Sequence, residues 1–200
     1  MFNPKLSDKI LSEALKDVDF CLNNAKKGNS QAWKRNYIRS VFVWIEVHLQ
    51  WLQSHLKAVS KIDHIVTSKK TKIKLTEKRQ QKLEDGSIKQ TTNYLGTAEK
   101  TTFLFDLLNF ANFVFESVDK SSKEWVDFLL AVRIRNRITH PKSLKDLHIS
   151  KNEIEVVFSS YHWFQSTFAD YMDKGQKELS DQIIAMEKTV KRMKENEKSS

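Results

Sequence analysis

The stretch Trp125–His140, "WVDFLLAVRIRNRITH", predicts a helix that packs on two sides. At about 100° per residue, one stripe of the helix is apolar and contains Leu130, Ala131, Ile134 and Ile138. A second apolar stripe lies on another side and contains Trp125, Phe128, Leu129 and Val132. A helix that is apolar on two sides is buried by neighbouring elements. The stretch therefore predicts a bundle of helices.

The rest of the chain fits an all-α fold. Only four glycines and two prolines occur among 200 residues, which favours long regular elements. Apolar residues recur at helical spacing and predict five main helices, over residues 7–26, 30–66, 97–116, 121–140 and 151 to beyond 193. We expect an up-down bundle with a long C-terminal helix. The aromatic residues of the second helix are interpreted as core residues, since they recur at helical spacing.

Capping patterns indicate where three of these helices begin. Ser30 precedes the second helix, and Gly28 is the expected cap of the first. Ser121 with Glu124, and Ser150 with Glu153, each match the S-x-x-E capping box.

We expect a helical domain over residues 1–175 and a helical extension over residues 176–200. The last five apolar positions of the final helix alternate in steps of four and three residues, from Leu179 to Met193. That is heptad spacing, typical of a helix that packs on another helix. The stripe is expected to contact either the protein's own body or a partner helix.

A basic insertion separates the second and third helices. Residues 67–90 contain eight Lys or Arg against three acids, and a short helix is predicted from Thr76 to Glu84, ending at Gly86. One interpretation is a solvated connection. The other is an arm that contacts RNA phosphates, through Lys69, Lys70, Lys72 and Lys74.

The composition limits the partners and the compartment. A net charge of +9 favours anionic partners. Cys21 is the only cysteine, so no intrachain disulfide is predicted, and no apolar run approaches a membrane span. We expect a soluble, cytoplasmic protein that does not enter a membrane. His48 and His55 share a helix face, but no third ligand follows at suitable spacing, so neither a metal nor a cofactor is predicted.

The end of the Trp125–His140 helix combines residues suited to RNA cleavage. A histidine can transfer a proton near neutral pH, and an arginine can hold a phosphate through two hydrogen bonds. Arg133 lies beside His140 on the helical wheel, whereas Arg135 lies about 140° away. A plainer alternative is that His140 only satisfies a carbonyl of the last helical turn.

"RNRITH", Arg135–His140, resembles the motif of the HEPN superfamily, in which an arginine and a histidine are separated by four to six residues. The resemblance extends over about residues 31–171, with the motif at the end of a late helix before one more long helix. It implies a metal-independent endoribonuclease that acts as a homodimer. His140 would be the acid and base, Arg135 the phosphate clamp and Asn136 the residue that orients them.

The resemblance leaves several assignments open. Arg133 also fits the family spacing, and Arg133, Arg137 and Lys142 are further candidates for RNA phosphate contacts. Some members of the family are toxins or antiviral defence effectors restrained by a protein partner. Some are silenced by modification of a tyrosine, and Lys142 occupies that position here. Other members lack known catalysis, so the alternative is a silent helical module that binds RNA or a protein.

Overall fold

Long α-helices form most of the chain, as the sequence predicts. The computed structural model describes residues 4–27, 30–63, 69–82, 87–92, 94–112 and 118–198. The helices among these residues are α1 (Pro4–Lys27), α2 (Gln31–Asp63), α3 (Lys69–Thr76), α4 (Thr97–Asn112), α5 (Lys123–Thr139) and α6 (Lys151–Lys198). A hairpin of β1 (Lys78–Lys82) and β2 (Ile88–Thr92) follows α3, and a 3₁₀ turn spans Leu144–Leu147. The all-α prediction is confirmed.

Helix α2 lies at the centre of the bundle. Its buried side chains recur every three or four residues and include Tyr37, Phe42, Ile45, Leu49 and Leu52. Aromatic rings join α2 to α6, since the rings of Trp44 and Tyr161 are 5.0 Å apart. The interpretation of the α2 aromatic residues as core is confirmed for Tyr37, Phe42 and Trp44, whereas Trp33 and Trp51 are half-buried.

Helix α5 buries one broad face. Its buried residues are Trp125, Phe128, Ala131, Ile134 and Ile138. Ala131, Ile134 and Ile138 belong to the first predicted stripe, and Trp125 and Phe128 belong to the second, while Leu130 is 40% exposed. Leu129 and Val132 of the second stripe pack partly buried against the core, so both predicted stripes contribute to it. Helices α2, α4 and α6 all contact α5.

Three of the predicted helix starts are confirmed and one is displaced. Helix α2 begins at Gln31, directly after Ser30. Helix α4 begins at Thr97, and α6 begins after the capping box of Ser150 and Glu153, where the Glu153 N–H donates to Ser150 Oγ at 3.2 Å. At α5 the N-cap is Ser122, whose Oγ accepts from the Trp125 N–H at 3.1 Å. Ser121 donates instead to Asp119 Oδ1 at 2.6 Å, so the Ser121 prediction was wrong by one residue.

The basic insertion has more structure than predicted. The helix spans Lys69–Thr76 rather than Thr76–Glu84, because Leu75 is buried and its carbonyl accepts from Gln53 Nε2 at 2.8 Å. Glu77 then adopts a left-handed backbone with φ of 53°, which ends α3. The antiparallel hairpin pairs Lys78 with Thr92. The predicted end of the short helix, at Glu84 and Gly86, lies outside the described residues.

Helix α6 continues to Lys198, which confirms the predicted long final helix. The heptad side chains from Leu179 to Met193, like the expected cap Gly28, lie outside what the structure describes, so a partner helix stays a prediction. None of the described helices combines the length and apolar character that a bilayer span needs.

Candidate functional site

His140 lies directly after α5, where the helix ends. Its N–H donates to the Asn136 carbonyl at 3.0 Å, and its backbone leaves the helical region with φ of −126°. Pro141 follows and disfavours the α conformation in the residue before it. The backbone of His140 thus caps the helix, while its side chain is exposed and makes no hydrogen bond within the described residues. The imidazole is accessible to a ligand.

Arg135 points toward α2 and is held there. Its Nη2 donates to Glu46 Oε1 at 2.6 Å, and its Nη1 donates to Asn136 Oδ1 at 3.1 Å. The guanidinium also lies 6.0 Å from the ring centre of Phe42. Asn136 therefore contacts the arginine that it was predicted to orient. The carboxylate of Glu46 thus occupies the position on the Arg135 guanidinium where the predicted phosphate clamp would hold a phosphate.

Glu46 connects three helices at this point. Its Oε1 accepts from Arg135 on α5 and, at 3.3 Å, from Thr97 Oγ1 at the start of α4. The side chain of Glu46 is 41% exposed and that of Arg135 is 27% exposed, so water reaches the pair. A phosphate approaching from solvent would compete with Glu46 for the same guanidinium.

Arg133 differs from Arg135 in its surroundings. It is exposed, and no carboxylate of the described chain pairs with it. On an ideal helix it lies about 20° from His140. Within one protomer, Arg133 is thus the motif arginine that shares a face with His140.

Arg137 holds the end of α5 to the start of α6. Its Nη1 lies 2.9 Å from Glu153 Oε1, and its Nη2 donates to the His148 carbonyl at 3.0 Å. Burial alone would raise the pKa of Glu153, but hydrogen bonds from Ser150 and Arg137 outweigh it and lower that pKa. The charge of Arg137 is therefore used within the fold.

Lys142 is exposed beyond the motif. Its N–H and that of Ser143 donate to Asp146 Oδ2 at 2.8 and 2.9 Å, which fixes the turn after Pro141. These backbone bonds leave the lysine side chain facing solvent, where it can meet an anion.

Arginines of α2 complete the basic surroundings of the motif. Arg39 Nη2 donates to the Ile138 carbonyl at 3.3 Å, and Arg35 Nη1 donates to the Leu147 carbonyl at 2.9 Å. Arg39, Arg35 and Glu46 were not predicted from the sequence. The seven-residue spacing of Arg39 and Glu46 places them on one face of α2, but periodicity does not indicate that this face meets α5.

The lysines of the basic insertion do not share one environment. Lys70 and Lys72 are exposed on α3. Lys74 forms an ion pair with Glu99 of α4 at 2.9 Å and lies 5.7 Å from the ring centre of Phe103. The backbone of Lys69 belongs to α3, while its side chain lies outside the described part of the chain.

The two histidines considered as metal ligands pack within α2. The His48 Nδ1 lies 2.8 Å from the Trp44 carbonyl, and the His55 ring stacks on Trp51 with centroids 5.4 Å apart. Burial lowers the pKa of both imidazoles. Among the described residues, no three His, Cys, Asp or Glu side chains are grouped as a metal site would require.

Comparison with known proteins gives no relative. No protein-family model, curated protein or solved structure matches this chain. The resemblance of Arg135–His140 to the HEPN motif therefore rests on the motif and its helical setting.

Proposed function

We propose that this protein is a metal-independent endoribonuclease of the HEPN type, acting as a toxin or antiviral defence effector. One observation carries the proposal: the exposed His140 follows the end of a helix, and four residues separate it from Arg135, whose guanidinium bonds Asn136. In this reading His140 transfers protons, Arg135 clamps the scissile phosphate and Asn136 orients the guanidinium. Arg133 and Lys142 add phosphate contacts from the exposed side of the site.

The proposed reaction is cleavage of RNA by its own 2′-hydroxyl. The 2′-oxygen attacks the adjacent phosphorus, a P–O bond forms, and the bond to the 5′-oxygen of the next nucleotide breaks. A histidine accepts the proton of the 2′-hydroxyl, and a histidine donates a proton to the departing 5′-oxygen. Arginine stabilises the negative charge that develops on the phosphorane. The products are a 2′,3′-cyclic phosphate and a 5′-hydroxyl.

A homodimer is part of the proposal. Two valines and a leucine are exposed on α2 and α5, namely Val43 at 52%, Val126 at 54% and Leu130 at 40%. Val126 and Leu130 lie on the same stripe of α5 as Arg133 and His140. Burial of this stripe against a second copy would cover apolar surface and bring two motifs into one cleft. A regulatory protein partner is expected to restrain such an enzyme.

A silent helical module that binds RNA or a protein is the second candidate function. The observation that favours it is the Glu46–Arg135 ion pair, which already satisfies the predicted clamp. A protein without catalysis has no need to keep this arginine free.

Cleavage of mixed RNA in EDTA distinguishes the two functions. We expect wild-type protein to cleave and to leave cyclic phosphate ends. His140→Ala and Arg135→Ala should each reduce the rate by roughly two orders of magnitude or more. Arg133→Ala should have a smaller effect.

The matched control is His162→Ala, which removes another exposed histidine, on α6. Circular dichroism and thermal melting must show that each variant is folded, because a misfolded variant also lacks activity. Full activity of folded His140→Ala protein would exclude the proposed enzyme. A dead Arg133→Ala protein beside an active Arg135→Ala protein would transfer the clamp to Arg133.

A further inference from the structure

Two segments that meet at the end of α5 carry only positive charge. Residues 31–45 of α2 contain three Lys or Arg, residues 133–145 contain five, and neither segment contains an Asp or Glu. A hydrogen bond joins the two segments, since Arg39 Nη2 donates to the Ile138 carbonyl at 3.3 Å. A surface with one sign of charge attracts a polyanion. The seam between α2 and the end of α5 therefore favours the backbone of a nucleic acid.

Carboxylates from outside these segments pair with two of the motif arginines. Glu46 Oε1 lies 2.6 Å from Arg135 Nη2, and Glu153 Oε1 lies 2.9 Å from Arg137 Nη1. Arg39 has no carboxylate partner among the residues that the structure describes. The charge of Arg39 is therefore not neutralised within the fold.

The hydrogen bonds of Arg39 are long and go to neutral oxygens. Its Nη2 donates to the Ile138 carbonyl at 3.3 Å, and its Nη1 donates to Asn36 Oδ1 at 3.4 Å. The side chain is exposed, so an anion can approach it from solvent. Hydrogen bonds between a guanidinium and a phosphate are shorter and stronger than bonds to neutral acceptors. A phosphate can thus replace both of these acceptors.

Arg39 also differs from the neighbours on α2 that hold the loop after α5. Four residues earlier, Arg35 Nη1 donates to the Leu147 carbonyl at 2.9 Å. Eight residues earlier, Gln31 donates to the Ile149 carbonyl at 3.0 Å and accepts from the Ile149 N–H at 2.7 Å. Arg35 and Gln31 are half-buried. These bonds attach the loop to α2 without Arg39.

We propose that Arg39 binds a backbone phosphate of RNA next to the scissile phosphate that Arg135 would clamp. The inference rests on the proposed function in that RNA is taken as the substrate, and it extends the path of the RNA from α5 onto α2. Ile138 follows Arg135 by three residues, which corresponds to about 4.5 Å along α5. The Arg39 guanidinium, held at the Ile138 carbonyl, therefore lies beyond Arg135 toward the end of the helix.

The alternative role of Arg39 is structural. A cation beside the last carbonyls of a helix stabilises its C-terminal end. Glutamine at position 39 keeps an amide donor and removes the charge, whereas lysine keeps the charge and removes the guanidinium. A contact with a phosphate makes the salt dependence of RNA binding depend on the charge at this position, and a structural cap does not.

The test is binding of a 2′-O-methyl single-stranded oligonucleotide, measured by fluorescence anisotropy over a range of salt concentrations. This RNA lacks the attacking 2′-hydroxyl, so binding is measured without cleavage. Arg39→Gln should weaken binding by roughly threefold or more and reduce the slope of log K against log[salt] by about 0.7. Arg39→Lys should keep a slope within about 0.2 of the wild-type value, because the positive charge is retained.

The matched control is Arg35→Gln, which removes the same charge from the same helix and also alters a bond to a loop carbonyl. Because Arg35 is half-buried and holds the loop, this variant should lower the melting temperature. Its salt slope should stay within about 0.2 of the wild-type value. Circular dichroism and thermal melting show whether each variant remains folded.

An unaltered slope in folded Arg39→Gln protein, or an equal reduction in Arg35→Gln protein, overturns the proposed contact. A slope that falls as much in Arg39→Lys as in Arg39→Gln protein also overturns it, in favour of the structural cap. If wild-type protein cleaves RNA beside either result, the proposed enzyme stands and only the contact is removed. Wild-type protein that shows the expected pattern of variants but cleaves no RNA supports the contact and removes the proposed enzyme.

Discussion

Replacement of Glu46 by glutamine should tighten RNA binding. Glu46 Oε1 accepts from Arg135 Nη2 at 2.6 Å, so the predicted clamp must leave this carboxylate before it holds a phosphate. Glutamine keeps the size and a hydrogen-bonding oxygen but removes the charge. The variant therefore lowers the free energy needed to transfer the guanidinium from residue 46 to the RNA.

The exposure of the pair sets the size of the effect. The side chains of Arg135 and Glu46 are 27% and 41% exposed, so solvent screens their attraction. Ion pairs of this kind contribute about 0.2–1 kcal/mol. Loss of the Arg135–Glu46 ion pair should lower the melting temperature by about 1–3 °C in a chain of this length. Without the ion pair, this free energy no longer opposes RNA binding, which corresponds to a gain in RNA affinity of up to about fivefold.

Fluorescence anisotropy with a 2′-O-methyl single-stranded oligonucleotide measures the effect on RNA binding. This oligonucleotide lacks the attacking 2′-hydroxyl, so it is bound without cleavage. The control is Asp170→Asn, which removes a negative charge from another exposed ion pair, with Lys174 at 2.7 Å on α6. That variant changes the net charge equally, so it reports the general electrostatic effect. A second comparison places Glu46→Gln in an Arg135→Gln background, where the gain should disappear because the competing guanidinium is absent.

Two results would refute this reasoning. One is a gain in affinity no larger than that of Asp170→Asn, which would mean that Glu46 acts only through net charge. The other is a gain that persists without Arg135. Weaker binding by the Glu46→Gln protein would show that Glu46 orients the arginine for RNA instead of competing with it.

Four further predictions concern stability, RNA affinity and assembly. Arg137→Ala should lower the free energy of unfolding by about 1–3 kcal/mol in urea titrations while reducing cleavage least among the motif arginines, because it leaves Glu153 unpaired. Folding lowers the pKa of Glu153 from its ordinary value of 4.5. The ionised carboxylate therefore contributes fully to the free energy of unfolding above pH 4.5, and this contribution is lost as the pH falls through the lower pKa of the folded state. Glu153→Gln protein should lose less stability on acidification. Charge reversal of the arm should weaken RNA binding and flatten its salt dependence, and an unaltered slope would indicate a solvated connection; the residues are Lys69, Lys70, Lys72 and Lys74. Light scattering at micromolar concentration should report a dimer, and a monomer would contradict the proposed assembly.

Local rules predicted most of the fold from the sequence. Helices α1, α2, α4 and α6 begin close to their predicted positions, because capping residues and apolar spacing act within a few residues of each other. The hairpin after α3 was not predicted. Its strands are polar, and its position depends on Leu75 being buried against α2, a contact between residues distant in the sequence.

The candidate site was predicted in part for the same reason. The motif residues are contiguous, so the sequence places His140 at the end of a helix without knowledge of its neighbours. Glu46 and Arg39 reach the motif from α2, about 100 residues away along the chain. Nothing in their spacing indicates that contact. The sequence therefore identified Arg135 but not the carboxylate that holds it.

The placement of Arg135 and His140 favours a site shared by two protomers if the two residues act together. Arg135 is directed toward α2 by Glu46, whereas His140 is exposed at the helix end, about 140° away on an ideal helix. In a composite site, the arginine of one protomer would meet the histidine of its partner. Mixing inactive Arg135→Ala and His140→Ala proteins then leaves one intact site in each mixed dimer, and random exchange restores about a quarter of wild-type activity. Sites formed within one protomer restore none, and that result would direct attention to Arg133, the exposed arginine on the face of His140.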